Sequence, residues 1–235
     1  MVFRAYPLLV AGITGAMACS AAAGATHAGA EFTEAYRPGT QDVGHWILTD
    51  NPLRARIIET TGGHPGGYLY SEVSTPTPTW STASTRYQPG HDDALKRDSI
   101  FVGDYDANQI DHISVDLQIF QVGAWTPDRT VTLQLIRWDP ANNTVAFTAT
   151  YSEGDLPTAP RGWLHHDFAV DARSPTIPPG WVLTRGDGTP GRNADWATLM
   201  HQIDLVGFGY WKPGFAYPSL GIWKLGIDNV HVGTR

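Results

Sequence analysis

The chain carries a single cysteine, Cys19, in 235 residues, so it cannot form a disulfide within itself. Charge is sparse as well: Asp, Glu, Lys and Arg make up 17% of the residues, against a usual ~25% in soluble domains. Basic residues are the scarcer sign, 16 against 23 acidic, and the formal net charge of -7 removes any electrostatic reason to hold nucleic acid or an anionic membrane. No apolar run approaches the ~20 residues needed to cross a bilayer as a helix. Neither Gly-x-Ser-x-Gly nor Gly-x-x-x-x-Gly-Lys-Ser/Thr occurs, which leaves no nucleophile elbow and no phosphate-cradling loop of that type.

Aromatic residues are plentiful, with 9 Trp, 9 Tyr and 8 Phe, alongside 25 Gly and 17 Pro. Together with a 42% hydrophobic fraction, this composition belongs to a folded, β-rich extracellular type of domain rather than to a disordered chain.

The first thirty residues read as a targeting segment. Arg4 supplies a positive start, Leu8 to Ala18 is apolar, and small residues from Ser20 to Ala30 offer cleavage after Ala25, Ala28 or Ala30. Residues 1–30 are therefore expected to be a cleavable signal peptide, and Cys19 leaves with it. Arg4 is the sole charged residue before Glu31, so cleavage takes the formal charge from -7 to -8. Ala16-Met17-Ala18-Cys19 also loosely resembles a bacterial lipobox, without its large aliphatic residue; lipid anchoring through Cys19 is the minor alternative to free secretion or periplasmic retention.

Residues 31–235 read as short β segments separated by turns. Ile113 to Ile119 alternates apolar and polar residues, as does Thr130 to Trp138, and Asp139 to Asn143 turns the chain back into Thr144 to Tyr151. Further strands are predicted at Tyr68–Val73, Trp80–Ser84, Trp163–Val170, Trp181–Arg185, Leu205–Trp211 and Leu225–Val232. Asn193 to Asp195 introduces a short helix whose Trp196, Leu199, Met200 and Ile203 fall on one stripe. No linker, repeat or charge block divides the segment. The expectation is a single all-β domain, an antiparallel sandwich with one short helix.

Several pieces, in order, resemble the laminin IV type A (laminin B) domain, a jelly-roll β-sandwich of the galactose-binding-like kind. They are Gly63-His64-Pro65-Gly66-Gly67-Tyr68-Leu69, with His64 where that family more often has Asn; Phe101-Val102-Gly103-Asp104 before the strand at Ile113; Trp163 and Trp181; Leu205-Val206-Gly207-Phe208-Gly209-Tyr210-Trp211 after the short helix; and the closing Leu225-Gly226-Ile227-Asp228-Asn229-Val230. The likeness spans roughly residues 45–232. It implies a free-standing sandwich, without the cysteine-rich repeats that flank the animal domains, and without their rod-building role.

Similar jelly rolls often hold a structural calcium, so the resemblance also implies a cation near Asp228, with Glu59 or Asp104 as partners. Asp228 has a second reading, as a carboxylate that orients a turn through backbone hydrogen bonds. His165-His166-Asp167 is a poor metal cluster, because adjacent side chains on a strand point to opposite faces. Glycines 62, 63, 66 and 67 read as a tight bend leading into Tyr68. Asp92/Asp93 and Asp104/Asp106 are paired carboxylates of the kind a glycosidase uses, but each pair lies in a polar, turn-rich stretch where solvated loop acids are ordinary.

Loop aromatics carry the binding expectation. Trp125, Trp211, Phe215, Tyr217 and Trp223 are the candidate contacts for a sugar face, with anchoring of the sandwich ends as their other use. Phe120 and Phe147, at strand centres, read as core. The function expected is a secreted, non-catalytic module that recognises a glycan or an extracellular partner. The alternatives are a structural or adhesive surface domain with a protein partner, and behind it a secreted carbohydrate-active hydrolase.

Overall fold

In a computed structural model, the structure describes residues 32–34, 46–48, 57–74, 83–86, 101–121, 130–142, 144–155, 161–210 and 222–234. The alternation at 113–119 becomes β6 (His112–Gln121), whose Ile113, Val115, Leu117 and Ile119 enter the core while the intervening side chains face outward. The next alternating run becomes β7 (Thr130–Asp139), which buries Val131, Leu133 and Leu135. Through the turn at Asp139 it pairs with β8 (Thr144–Asp155), where Asp139 accepts the Ala141 N–H at 2.9 Å.

The other strands are β1 (Phe32–Glu34), β2 (Trp46–Leu48), β3 (Ile57–Gly63), β4 (Gly66–Ser74), β5 (Ala83–Arg86), β9 (Arg161–Ala169), β10 (Trp181–Arg185), β11 (Leu205–Tyr210) and β12 (Ile222–Gly233). They form two antiparallel sheets. Sheet A runs β3-β4-β12-β6-β9, with β1 also on β12, and sheet B runs β10-β8-β7-β11-β5-β2. Consecutive strands β6 and β7, β8 and β9, and β11 and β12 lie in opposite sheets, so the chain winds repeatedly across the core as a jelly-roll sandwich. The inner faces meet in one cluster that includes Phe168, Phe208, Leu133, Leu135, Val206 and Val230. Each fully buried aliphatic or aromatic side chain there contributes about 1.5–3 kcal/mol of transfer free energy.

The helical stripe is α1 (Asn193–Met200), and its Trp196, Leu199 and Met200 join the same cluster. The N-cap is Arg192, one residue earlier than Asn193, because the Asn193 side chain accepts the Ile177 N–H at 3.2 Å. Asp195 instead closes the helix start, accepting the Arg192 N–H at 2.8 Å and the Arg185 guanidinium at 2.6 and 2.8 Å.

Two expectations change. Strands β1, β2 and β3 went unpredicted; the first two are three residues long, and β3 reads Ile-Ile-Glu-Thr-Thr-Gly-Gly without alternation. Phe147 packs against the core as expected, but Phe120 does not: it shares the parity of Asp116 and lies on the outer face of sheet A, among Tyr68, Tyr70 and Trp163. Among the described residues, no helix is long and apolar enough to cross a membrane.

Candidate functional site on the outer face of sheet A

The glycine-rich bend forms the tip of the β3–β4 hairpin. Gly62 and Gly66 both take φ of 92°, which residues with a Cβ rarely adopt, and the His64–Pro65 peptide between them is cis. The tip lies over sheet A rather than projecting from it. The His64 N–H donates to Asp228 Oδ2 on β12 at 2.5 Å, and the Trp163 indole N–H on β9, at the far edge, donates to the Gly62 carbonyl at 2.9 Å.

Four rings meet on the sheet beside this tip. Tyr68 and Phe120 stand 5.5 Å apart, and Trp163 meets them edge-on at 5.3 and 6.5 Å, with interplanar angles of 77° and 88°. They converge over Gly226, where a Cβ would come within 2.9 Å of Trp163 and 3.0 Å of both Phe120 and Tyr68. Tyr68 is buried, whereas Trp163, Tyr70 and Phe120 are half-buried. The rings are not coplanar; they prop one another, and Trp163 is the half-buried member on the edge strand β9.

A polar cluster sits next to the rings. Asp116 on β6 lies opposite both Asp228 on β12 and His165 on β9. Its carboxylate accepts from His165 Nδ1 at 2.7 Å, His64 Nδ1 at 3.0 Å and Asn229 Nδ2 at 2.8 Å. Asn229 reaches it because β12 bulges between Asp228 and His231, with Asn229 at φ 49°. The same amide donates to the His64 carbonyl, tying bulge to hairpin. Asp228 is fully buried, and its second oxygen accepts the Asn229 N–H at 2.9 Å.

The two carboxylates titrate in opposite directions. Burial raises the Asp228 carboxyl, and the His64 and Asn229 amides only partly offset this. Burial also acts upward on Asp116, but the bonds from Asn229, His165 and His64 outweigh it and hold that carboxyl below its ordinary range. Asp116 is thus an ionised anchor, while His64 and His165 remain exposed above it.

The calcium candidates lie on sheet A, for Asp228 and Glu59, and in the turn before β6, for Asp104. Asp228 spends its oxygens on backbone amides, the turn-orienting use foreseen for it. Glu59 lies across from Tyr68 on β3, and Asp104 belongs to a turn where it accepts the Ala107 N–H at 2.8 Å. Among the described residues, the group of metal-ligand type within 4.8 Å of one another is Asp104, Asp106 and His201. His165 and His166 face opposite ways, toward Asp116 and toward Glu153 and Phe168 respectively. Trp125, Trp211, Phe215 and Tyr217 lie outside the described residues, as do Asp92 and Asp93; Trp223 is placed on β12 by its backbone.

No protein-family model matches the chain, and no curated protein matches it. Solved structures do. The chain is similar to the family 11 carbohydrate-binding module of the cellulosomal cellulase Lic26A-Cel5E of Clostridium thermocellum, at 15% identity and a TM-score of 0.44 over 86% of this chain and 94% of that one. The same family 11 module in complex with a β-1,3-1,4-mixed-linked tetrasaccharide matches with the same figures. A family 28 module specific for non-crystalline cellulose matches at 15% identity and a TM-score of 0.39, over 85% and 94% of the two chains.

Sequence reasoning had weighed His165 only as a metal ligand and Asp116 only as part of a strand. Their shared face was legible, since Trp163, His165 and Asp167 alternate on β9 as Ser114, Asp116 and Gln118 do on β6. What was not legible is the pairing of those two strands across a gap of some forty residues.

Proposed function

We propose that the chain is a non-catalytic module that binds a glycan on the outer face of sheet A, with the half-exposed Trp163 as the ring against which a sugar packs. The observation that carries this reading is the placement of Trp163 on one strand and one face with the exposed His165 and Asp167, beside the exposed His64 of the hairpin. A ring of fixed orientation next to several polar groups suits an amphipathic sugar, whose faces are apolar and whose rim is hydroxyl. A protein-docking face gains less support: among the described residues the exposed large hydrophobics are Leu164 and Val182, one in each sheet. A glycosidase gains none from the facing carboxylates, because Asp228 has no exposed surface with which to reach a substrate.

In this reading residues 31–235 are one secreted sandwich, released from the signal segment 1–30, and the order of its motifs supports kinship with laminin IV type A domains. The test is titration of the full chain with a panel of polysaccharides. Saturable binding that falls at least about tenfold in Trp163→Ala, with His165→Ala as a variant that leaves the hairpin bond intact, is the expected result. Binding lost in Trp211→Ala or Trp223→Ala but kept in both β9 variants would move the site to the loop end.

A further inference from the structure

Two exposed imidazoles on the outer face of sheet A are held by one carboxylate, and this bears on which glycan the face takes. An ionised carboxylate can only accept, so the Nδ1 atoms of His64 and His165, at 3.0 and 2.7 Å from Asp116, must each carry a hydrogen. In a neutral imidazole the other nitrogen is then an acceptor. Side-chain exposures of 66% for His64 and 60% for His165 leave both rings open to solvent. Several nearby donors are already used: the His64 and Asn229 N–H groups point at Asp228, the Asn229 amide at Asp116 and the His64 carbonyl, and the Trp163 N–H at Gly62.

Among the described residues, the titratable groups beside these imidazoles include Asp116 from β6, Asp228 and His231 from β12, the exposed Asp167 and the opposite-facing His166 on β9 itself, Tyr68 from β4, Glu59 from β3, and Glu153 behind His166 on β8. Lys224 lies further along β12, beyond Gly226.

We infer that this face selects uncharged, hydroxyl-donating glycan segments through two acceptor nitrogens, Nε2 of His64 and Nε2 of His165, with Asp116 as the positioning residue that holds both rings in the accepting tautomer. The inference rests on the glycan-binding reading above. It names the substrate class, a neutral polysaccharide able to donate two hydroxyl hydrogens side by side.

The experiment is calorimetric titration of the full chain, at about pH 8, with an uncharged β-linked glucan and with polygalacturonate. The glucan is expected to bind more tightly than polygalacturonate. His64→Ala and His165→Ala are each expected to weaken glucan binding up to about tenfold, the size of losing a neutral hydrogen bond. Asp116→Asn keeps the shape but presents an amide that can donate to Nδ1, and lowers glucan affinity with the rings still present. Should Asp116→Asn misfold, the two surface histidine variants decide alone. Glucan binding that depends on Trp163 yet is indifferent to both histidine substitutions overturns this inference and leaves the module reading standing. Tighter binding of polygalacturonate than glucan overturns it as well. Failure of both polymers and of the wider panel overturns both.

Discussion

Gly226 lies under three rings, and the absence of a side chain there is what lets Tyr68, Phe120 and Trp163 meet on the sheet. Gly226→Val places branched carbon where the nearest ring atoms stand at 2.9–3.0 Å from a Cβ alone. Overpacking of this kind costs about 1–3 kcal/mol. The variant should melt several degrees lower and lose glycan binding together with Trp163 positioning; unchanged melting and binding would show that the rings are free to part. Asp228 makes the complementary case. Removing its carboxylate in Asp228→Ala leaves the part-buried His64 and Asn229 N–H groups without this acceptor, at about 0.5–1.5 kcal/mol for each bond lost. Hydrogen exchange at the His64 amide should accelerate more than exchange in α1. Equal acceleration in both would mean the hairpin is not held locally by Asp228. Among residues, Asp228 had two readings from sequence, a cation ligand or a carboxylate orienting a turn through backbone hydrogen bonds, and its bonds to the His64 and Asn229 amides are of the second kind. Gly226 was not legible, since nothing local shows what lies above it.

At the scale of elements, β9 separates two environments by parity. Trp163, His165 and Asp167 face outward, while His166 turns inward to stack on Phe168 at 6.4 Å and 20°. Burial, aided by the neighbouring His165, lowers the His166 imidazole, and Asp116 offsets this in part. A base whose folded value is lowered contributes stability that is complete above its unfolded value, about 6.5, and is lost as pH falls from there through the folded value. His166→Phe should therefore remove the part of acid destabilisation that begins below about pH 6.5, in thermal melts run against the unsubstituted chain. Parallel melting curves across that range would show the imidazole to be no contributor. The hairpin tip is the element that sequence placed only half correctly: four glycines announced a bend, but its folding back over β12 depends on Asp228, Asn229 and Trp163, which lie at least 100 residues away.

At the scale of the whole molecule, acid acts on carboxylates of two kinds. Asp116 and Asp195 sit below their ordinary range, because burial pushing them up is outweighed by hydrogen bonds and ion pairing. Their stabilisation is full above about 3.9, the unfolded value, and is lost as pH falls below it. Asp204 and Asp228 are raised by burial, so ionising them costs folding free energy at neutral pH, and that cost is relieved as pH drops through their raised values. With His166 replaced by Phe, the melting temperature should thus rise on mild acidification and fall below about pH 4. A monotonic decline from neutrality would show that the raised pair does not govern that range.

The all-β class, strand β4, the antiparallel strands from β6 onward and the short helix follow from the sequence by itself, because period-two alternation, turn residues and a helical stripe are local properties of the chain. Tertiary structure alone decided that Asp116 meets both His64 and His165, that Phe120 lies outside the core, and that Trp163 closes over a hairpin from the other edge of its sheet. The physical reason is that a strand's alternation says which residues share a face but not which strand lies alongside. Pairing in a jelly roll joins segments distant in the chain, and it is set by the summed burial of a whole sheet rather than by any short stretch.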